Sequence, residues 1–220
     1  MSKKPLVGIF LATLMIGAIV GSIVNPLIVA KGRSSQGQIC FTKAQVDLKM
    51  KMRKLWEDHA MYTRMAIVEA VANTSNDATV ARLLKNQEDI GNAIKPYYGD
   101  AAGNKLADLL KQHELLAGGV INAAKAGNST AFDAANKQWF SNADQIAAFL
   151  NQLNPTYWPE PAMKSMFYEH LHLVTAVVIA RLHGDWAAGI QAYDNVVNQA
   201  LMMADVLADG IIGQFPAKFC

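Results

Sequence analysis

From Phe41 onward the apolar residues recur three and four positions apart, the spacing of one helix face. No stretch alternates with period two over a useful length, so no sheet is expected. Polar and glycine punctuation divides the pattern into six segments. Thr42 can cap the first, Gln45 completes a capping box, and Phe41 can staple to Val46. That segment should run to about Ala72, where Thr74-Ser75-Asn76-Asp77 breaks it. A short second helix follows from about Ala78 to Ile94, and Pro96 with Tyr97-Tyr98-Gly99-Asp100 forms a turn. The third helix spans about Ala101 to Ala126 and stops at Gly127-Asn128. Asn128 or Ser129 opens the fourth, which ends before Asn154-Pro155. Thr156 to Pro161 reads as a crossover. The fifth helix runs to about Leu182 with Gly184 as its stop. Asp185 caps the sixth, which fades at Gly210 and Gly213 and is closed by Pro216.

Helices of this number joined by short turns predict an all-α antiparallel up-and-down bundle, with four long helices and one or two short ones. The stripes that should face its core run through Leu106, Leu109, Leu110, Leu116 and Val120 in the third helix. In the sixth they run through Ile190, Val197, Leu201, Ala204 and Ile211.

The N-terminal part has a different character. Pro5 to Ala30 is a stretch of 26 residues without a charge, flanked by Lys3-Lys4 and by Lys31 and Arg33. Its length is enough to cross a bilayer, and Val29-Ala30-Lys31 makes a poor signal-cleavage site. An uncleaved single-pass membrane anchor is therefore expected, contacting lipid through residues 5–30. Residues 1–35 then form anchor and polar linker, and residues 36–220 form the bundle. Gly17-x-x-x-Gly21 would let two anchors pack closely. Both flanks are basic, so charge leaves the orientation open.

Composition narrows the function classes. A net charge of +2 over 220 residues does not suit a nucleic-acid binder, which needs a basic face. Lys49, Lys51, Arg53 and Lys54 do cluster, but Asp47, Glu57 and Asp58 surround them. The run reads as a solvated helix face, with a lipid-headgroup contact as the alternative. The two cysteines, Cys40 and Cys220, bracket the bundle. An even number of antiparallel helices brings both to one end, where a disulfide would staple the termini in an oxidising compartment. That placement favours a bundle outside the cytoplasm. Two unrelated free thiols are the other reading.

Chemistry is sought among polar residues that fall on apolar stripes. The first helix has Leu48, Met52, Leu55, His59, Thr63 and Ala66. The third has His113 between Leu109 and Leu116. The fourth has Phe132, Trp139, Asn142, Ile146 and Phe149, with Asp144 beside Asn142. The fifth has Met163, Phe167, His170, Val174 and Val177, with His172 on a neighbouring face. Asp194 and Asp205 flank the middle of the sixth. Four of the five histidines thus sit near the midpoints of three long helices. Midpoints share a level in an up-and-down bundle, and an offset of two or three residues moves a side chain only about 3–5 Å along the axis. His59, His113 and His170 or His172 are expected to converge with Asn142 or Asp144. Imidazoles with a carboxylate suit a transition metal such as zinc, copper or iron. Arg64, Glu169, Asn142 and Asp205 are the accompanying candidates for ligand binding. The alternative is a buried polar layer that fixes helix register.

Other signatures are absent. Glu169 and His172 form one Glu-x-x-His, but a di-iron bundle needs the motif twice with two further glutamates. There is no Gly-rich phosphate loop, no Cys-x-x-Cys, no Gly-x-Ser-x-Gly and no haem attachment motif. The ten methionines at helical spacing read as core filler. No catalytic residue is therefore assigned.

Leu55-Trp56-Glu57-Asp58-His59, Tyr62-Thr63-Arg64, Tyr98-Gly99-Asp100, Asn142-Ala143-Asp144-Gln145-Ile146 and Glu169-His170-Leu171 carry a resemblance. So do Met203-Ala204-Asp205, Gly210-Ile211 and Gln214-Phe215. With these the bundle resembles a family of uncharacterised bacterial helical-bundle proteins. The resemblance covers the bundle and not the anchor. It implies the helical fold and no established activity. The labels acetylglutamate kinase and glycosyltransferase attached to such relatives do not fit an all-helical pattern. Two functions remain in view. One is a membrane-anchored binding or sensor-like bundle with a mid-bundle metal or small-ligand site. The other is a structural or interaction module of a membrane-associated assembly, in a cell envelope or a virion, through self-association or protein partners.

Overall fold

Thr42 starts the bundle as its side chain predicts. Its hydroxyl accepts from the Gln45 amide at 3.2 Å, and the Gln45 side chain accepts from the Thr42 amide at 3.0 Å. The computed structural model describes residues 41–220. The expected anchor at 5–30, its linker and Cys40 lie outside the described residues. Phe41 and Val46 both stay largely exposed, and the Lys49 ammonium lies 5.5 Å from the Phe41 ring centre.

Among the described residues every regular element is helical. They are α1 (Lys43–Val71), α2 (Asp77–Lys125), α3 (Ser129–Leu153), α4 (Glu160–Leu182), α5 (Trp186–Gln214) and one 3-10 turn, Pro216–Lys218. Asn128 and Asp185 cap α3 and α5 by accepting from Ala131 and Ala188, each at 2.9 Å. These are the roles their side chains favour.

The expected second and third helices are the two halves of α2. Gly99 separates them with φ 82° and ψ 169°, a conformation only glycine adopts readily. Glu88 and Lys111 sit 23 residues apart in sequence, yet their side chains meet at 2.5 Å. Along one straight helix that separation would be about 35 Å. The chain therefore reverses at Gly99, and residues 77–98 run against 100–125. The two halves cross at Gly91 and Gly103. A Cβ on Gly91 would stand 2.8 Å from the Ala107 Cβ, and nearer still to the Gly103 carbonyl oxygen.

α1 packs against α2, α4 and α5; α3 packs against α2 and α4; α4 packs against α5. Lys49 pairs with Asp209 at 2.6 Å and Arg53 with Asp205 at 2.6 Å, so α1 and α5 run antiparallel. Lys54 pairs with Asp58. The basic run of α1 is thus largely spent on neighbouring carboxylates. The described chain enters and leaves the bundle at one end, where Tyr97 stacks on Phe219 and Tyr98 meets Trp158 and Phe215. The exposed Cys220 is at that end.

The buried stripe of α5 lies about one residue round from the expected one. Val196, Gln199, Ala200, Met203, Ala204, Leu207, Ala208 and Ile211 are buried, whereas Ile190 is exposed and Val197 and Leu201 are half-buried. α5 also does not fade at Gly210. Its small residues let aromatic rings lie against the backbone. The Trp158 indole donates to the Val206 carbonyl at 3.2 Å, and a Cβ on Gly210 would fall 2.9 Å from its Cδ1 and closer to its Nε1. Tyr157 occupies the same position over Gly213. Gly210→Ala is expected to cost about 1–3 kcal/mol, the usual penalty of an overpacked core. Urea unfolding would show a lower midpoint with an unchanged slope. An unaltered midpoint would mean that the indole is not seated there.

By length and composition α5 is also apolar enough to cross a membrane, and half of its apolar window is buried in the bundle.

Candidate functional site

Each of the six helical segments places a polar residue within two positions of its midpoint: His59 in α1, Gln87 and His113 in the halves of α2, Asn142 in α3, His170 in α4 and Gln199 in α5. All six are buried. Up-and-down packing brings the midpoints to one level, and the side chains meet there in one layer. The His59 Nε2 and His170 Nε2 atoms are 3.3 Å apart. Gln87 Nε2 is 3.2 Å from His59 Nδ1, and Glu114 Oε1 is 3.6 Å from the same nitrogen. His113 Nδ1 lies 2.7 Å from Asn142 Oδ1, and His170 Nδ1 lies 2.8 Å from Gln199 Oε1.

The partners fix the tautomers. Asn142 donates its amide N–H to the Leu109 carbonyl at 3.2 Å, so its oxygen is left to accept from His113 Nδ1–H. Gln199 donates to the Met166 carbonyl at 2.9 Å, so its oxygen accepts from His170 Nδ1–H. In a neutral imidazole a proton on Nδ1 leaves Nε2 as a lone pair. His113 Nε2 is buried and has no hydrogen-bond partner among the described residues. Toward His170 Nε2, His59 must donate from its own Nε2, and its Nδ1 accepts from Gln87.

Burial keeps these rings neutral. It lowers the His59 imidazole well below its ordinary range, with His170 and His113 adding repulsion. Burial takes His113 down to about 3 against the opposing effect of Asn142, and lowers His170 against that of Gln199. The same burial raises the Glu114 carboxyl to about 8, so at neutral pH it holds its proton. Glu114 and His59 therefore do not form an ion pair.

Of the residues expected from sequence, the layer gathers His59, His113, His170 and Asn142. The rest lie elsewhere, because their helices turn them outward. His172 is exposed, with its ring 5.4 Å from that of Phe140. Asp144 accepts from the Tyr168 hydroxyl at 2.8 Å and sits 3.5 Å from Lys164. Arg64 lies over the Tyr193 ring at 4.6 Å. Glu169 is exposed, and Asp205 is held by Arg53. Gln87, Glu114 and Gln199 were not anticipated. Each lies on an apolar stripe, Gln87 between Leu83 and Ile90, Glu114 between Leu110 and Ala117, and Gln199 between Val196 and Met203. The rule that found the histidines reaches them too.

No three His, Cys, Asp or Glu side chains among the described residues stand together as a ready metal site. The layer holds a facing pair of imidazole nitrogens and a third imidazole whose free nitrogen has no partner. No family model, curated protein or solved structure matches the chain.

Proposed function

We propose that the protein is a membrane-tethered bundle that holds a transition-metal ion at the layer of His59, His113 and His170. The observation that carries this reading is the pairing of His59 Nε2 with His170 Nε2 at 3.3 Å, together with a buried His113 Nε2 that has no hydrogen-bond partner among the described residues. Two imidazole nitrogens on a tetrahedral zinc, each about 2.0–2.1 Å from the metal, are separated by about 3.3–3.4 Å. Their outer partners also suit ligands. Metal-bound histidines donate their second N–H to a fixed acceptor, and Asn142 and Gln199 accept from His113 and His170 while anchored to backbone carbonyls. His59 alone must exchange tautomer. An acceptor for its Nδ1–H would be Glu114 Oε1, which lies 3.6 Å from that nitrogen and has no hydrogen-bond partner among the described residues. Zinc, copper and iron all accept imidazole. The charge-free stretch Pro5 to Ala30 supports the tether.

The test is thermal melting of the full chain in detergent after chelator treatment. Zinc at 1,000 times its dissociation constant adds about 4 kcal/mol of stability, which raises the midpoint of a domain this size by about 8 °C or more. His113→Ala and the milder His113→Gln should abolish the rise. Melting that is unmoved by zinc, copper and iron would leave the layer as a register device in a structural or interaction module.

A further inference from the structure

Beside the layer, between α1, both halves of α2, α3 and α4, lies a cavity of about 360 Å³ that runs toward the α1–α2 turn. That volume is within the range of small-molecule sites. Its walls are mostly apolar, with Ile67, Val120 and Val178 among them. Three of its lining residues are different. Thr63, Glu114 and Trp139 are buried, and Thr63 Oγ1, Glu114 Oε1 and Trp139 Nε1 have no hydrogen-bond partner among the described residues. Unpaired buried polar atoms destabilise a fold. Three among the residues around one cavity, on α1, α2 and α3, are what a guest with a polar group would satisfy.

We propose that this cavity binds a small, uncharged apolar molecule carrying one hydrogen-bonding oxygen, of the alcohol or ketone class. The indole N–H of Trp139 is a donor, and the Thr63 hydroxyl both donates and accepts. A charged guest would have to shed its water against these apolar walls, a cost that a neutral one does not meet. The cation at the cavity mouth, Lys125, is already bonded to the Ala70 carbonyl and, at 2.8 Å, to Asn73 Oδ1. A carboxylate guest would have to compete with these two contacts for the Lys125 ammonium. This assignment does not rest on a bound metal.

The test is calorimetric titration of the full chain in detergent with 2-naphthol, with 2-naphthoate as the charged counterpart and a chelator present throughout. The expected result is one 2-naphthol per chain, bound at least about ten-fold more tightly than 2-naphthoate. Gly118 lines the cavity, and a Cβ there meets nothing within 4 Å. Gly118→Phe should fill the space and weaken 2-naphthol at least ten-fold while the helical signal is retained. Thr63→Val keeps the shape and removes one hydroxyl, so it should weaken 2-naphthol by several-fold. Absence of 2-naphthol binding would overturn the proposal. So would equal or tighter binding of 2-naphthoate, or full affinity in a folded Gly118→Phe and in Thr63→Val.

Discussion

Acidification of the metal-stripped protein below pH 6.5 should lower its stability, because the unfolded chain then takes up protons that the folded layer refuses. The folded pKa values of His59, His113 and His170 all lie below the ordinary 6.5. Their contribution is present above pH 6.5 and is lost as the pH falls. Glu114 acts in the opposite sense. Its folded pKa is raised from 4.5 to about 8, so its contribution is complete below about pH 4.5 and is lost as the pH rises through 8. Between pH 4.5 and 6.5 three histidines work against one glutamate, so the net effect of acidification is a loss of stability. Above pH 6.5 Glu114 acts alone and stability declines again, so the optimum falls near pH 6.5. Urea midpoints measured from pH 4.5 to 9 check this. A flat profile between pH 5 and 7 would mean that the histidines are not buried neutral.

The second large effect is expected at Gly91. Its neighbours across the hairpin are a backbone carbonyl oxygen and the Ala107 Cβ, neither of which can rotate away. Even Gly91→Ala forces the halves of α2 apart. That loosens the packing of Ile90 and Leu106, and it shifts Gln87 relative to His59. A loss of about 3 kcal/mol or more follows, at the upper end for overpacking. Gly118→Ala provides the contrast. It lies on the other half of α2, and its Cβ would meet nothing within 4 Å. There the usual helix preference for alanine operates and stability should rise by about 0.5–1 kcal/mol. Equal urea midpoints for the two variants would contradict the close crossing.

Helix boundaries were legible because they are written in local chemistry. Thr42 with Gln45, Asn128, Asp185 and Gly184 act within a few residues of themselves. The reversal at Gly99 was legible for the same reason, as Pro96 and a glycine allow little else. The face that α5 buries was harder to read. Alanines and glycines carry little hydropathic signal, yet Ala200, Ala204 and Ala208 are fully buried. Gly210 and Gly213 read as the end of a helix, whereas the aromatic rings that explain them come from the α3–α4 connection, about fifty residues away in sequence.

For the site, the level argument carried His59, His113, His170 and Asn142, since midpoints coincide whatever the direction of each helix. It could not choose between His170 and His172, which are two residues apart. The choice depends on rotation about the α4 axis, and packing against Phe140 settles it. Asp144 was attractive as a carboxylate beside Asn142, but one residue turns a helix by about 100°. The carboxyl that does reach the layer is Glu114, next to His113. Gln199 stands out in the sequence less than the acidic residues of α5. A buried amide gives less signal than a charge, although it bonds both His170 and a backbone carbonyl.

The central claim is that three neutral imidazoles on three helices form a metal site. Elemental analysis of the native full chain, purified without chelator, tests it most directly. The account predicts close to one zinc, copper or iron per chain in the wild type and none in His113→Ala or His170→Ala. A folded wild-type protein free of all three metals would contradict it.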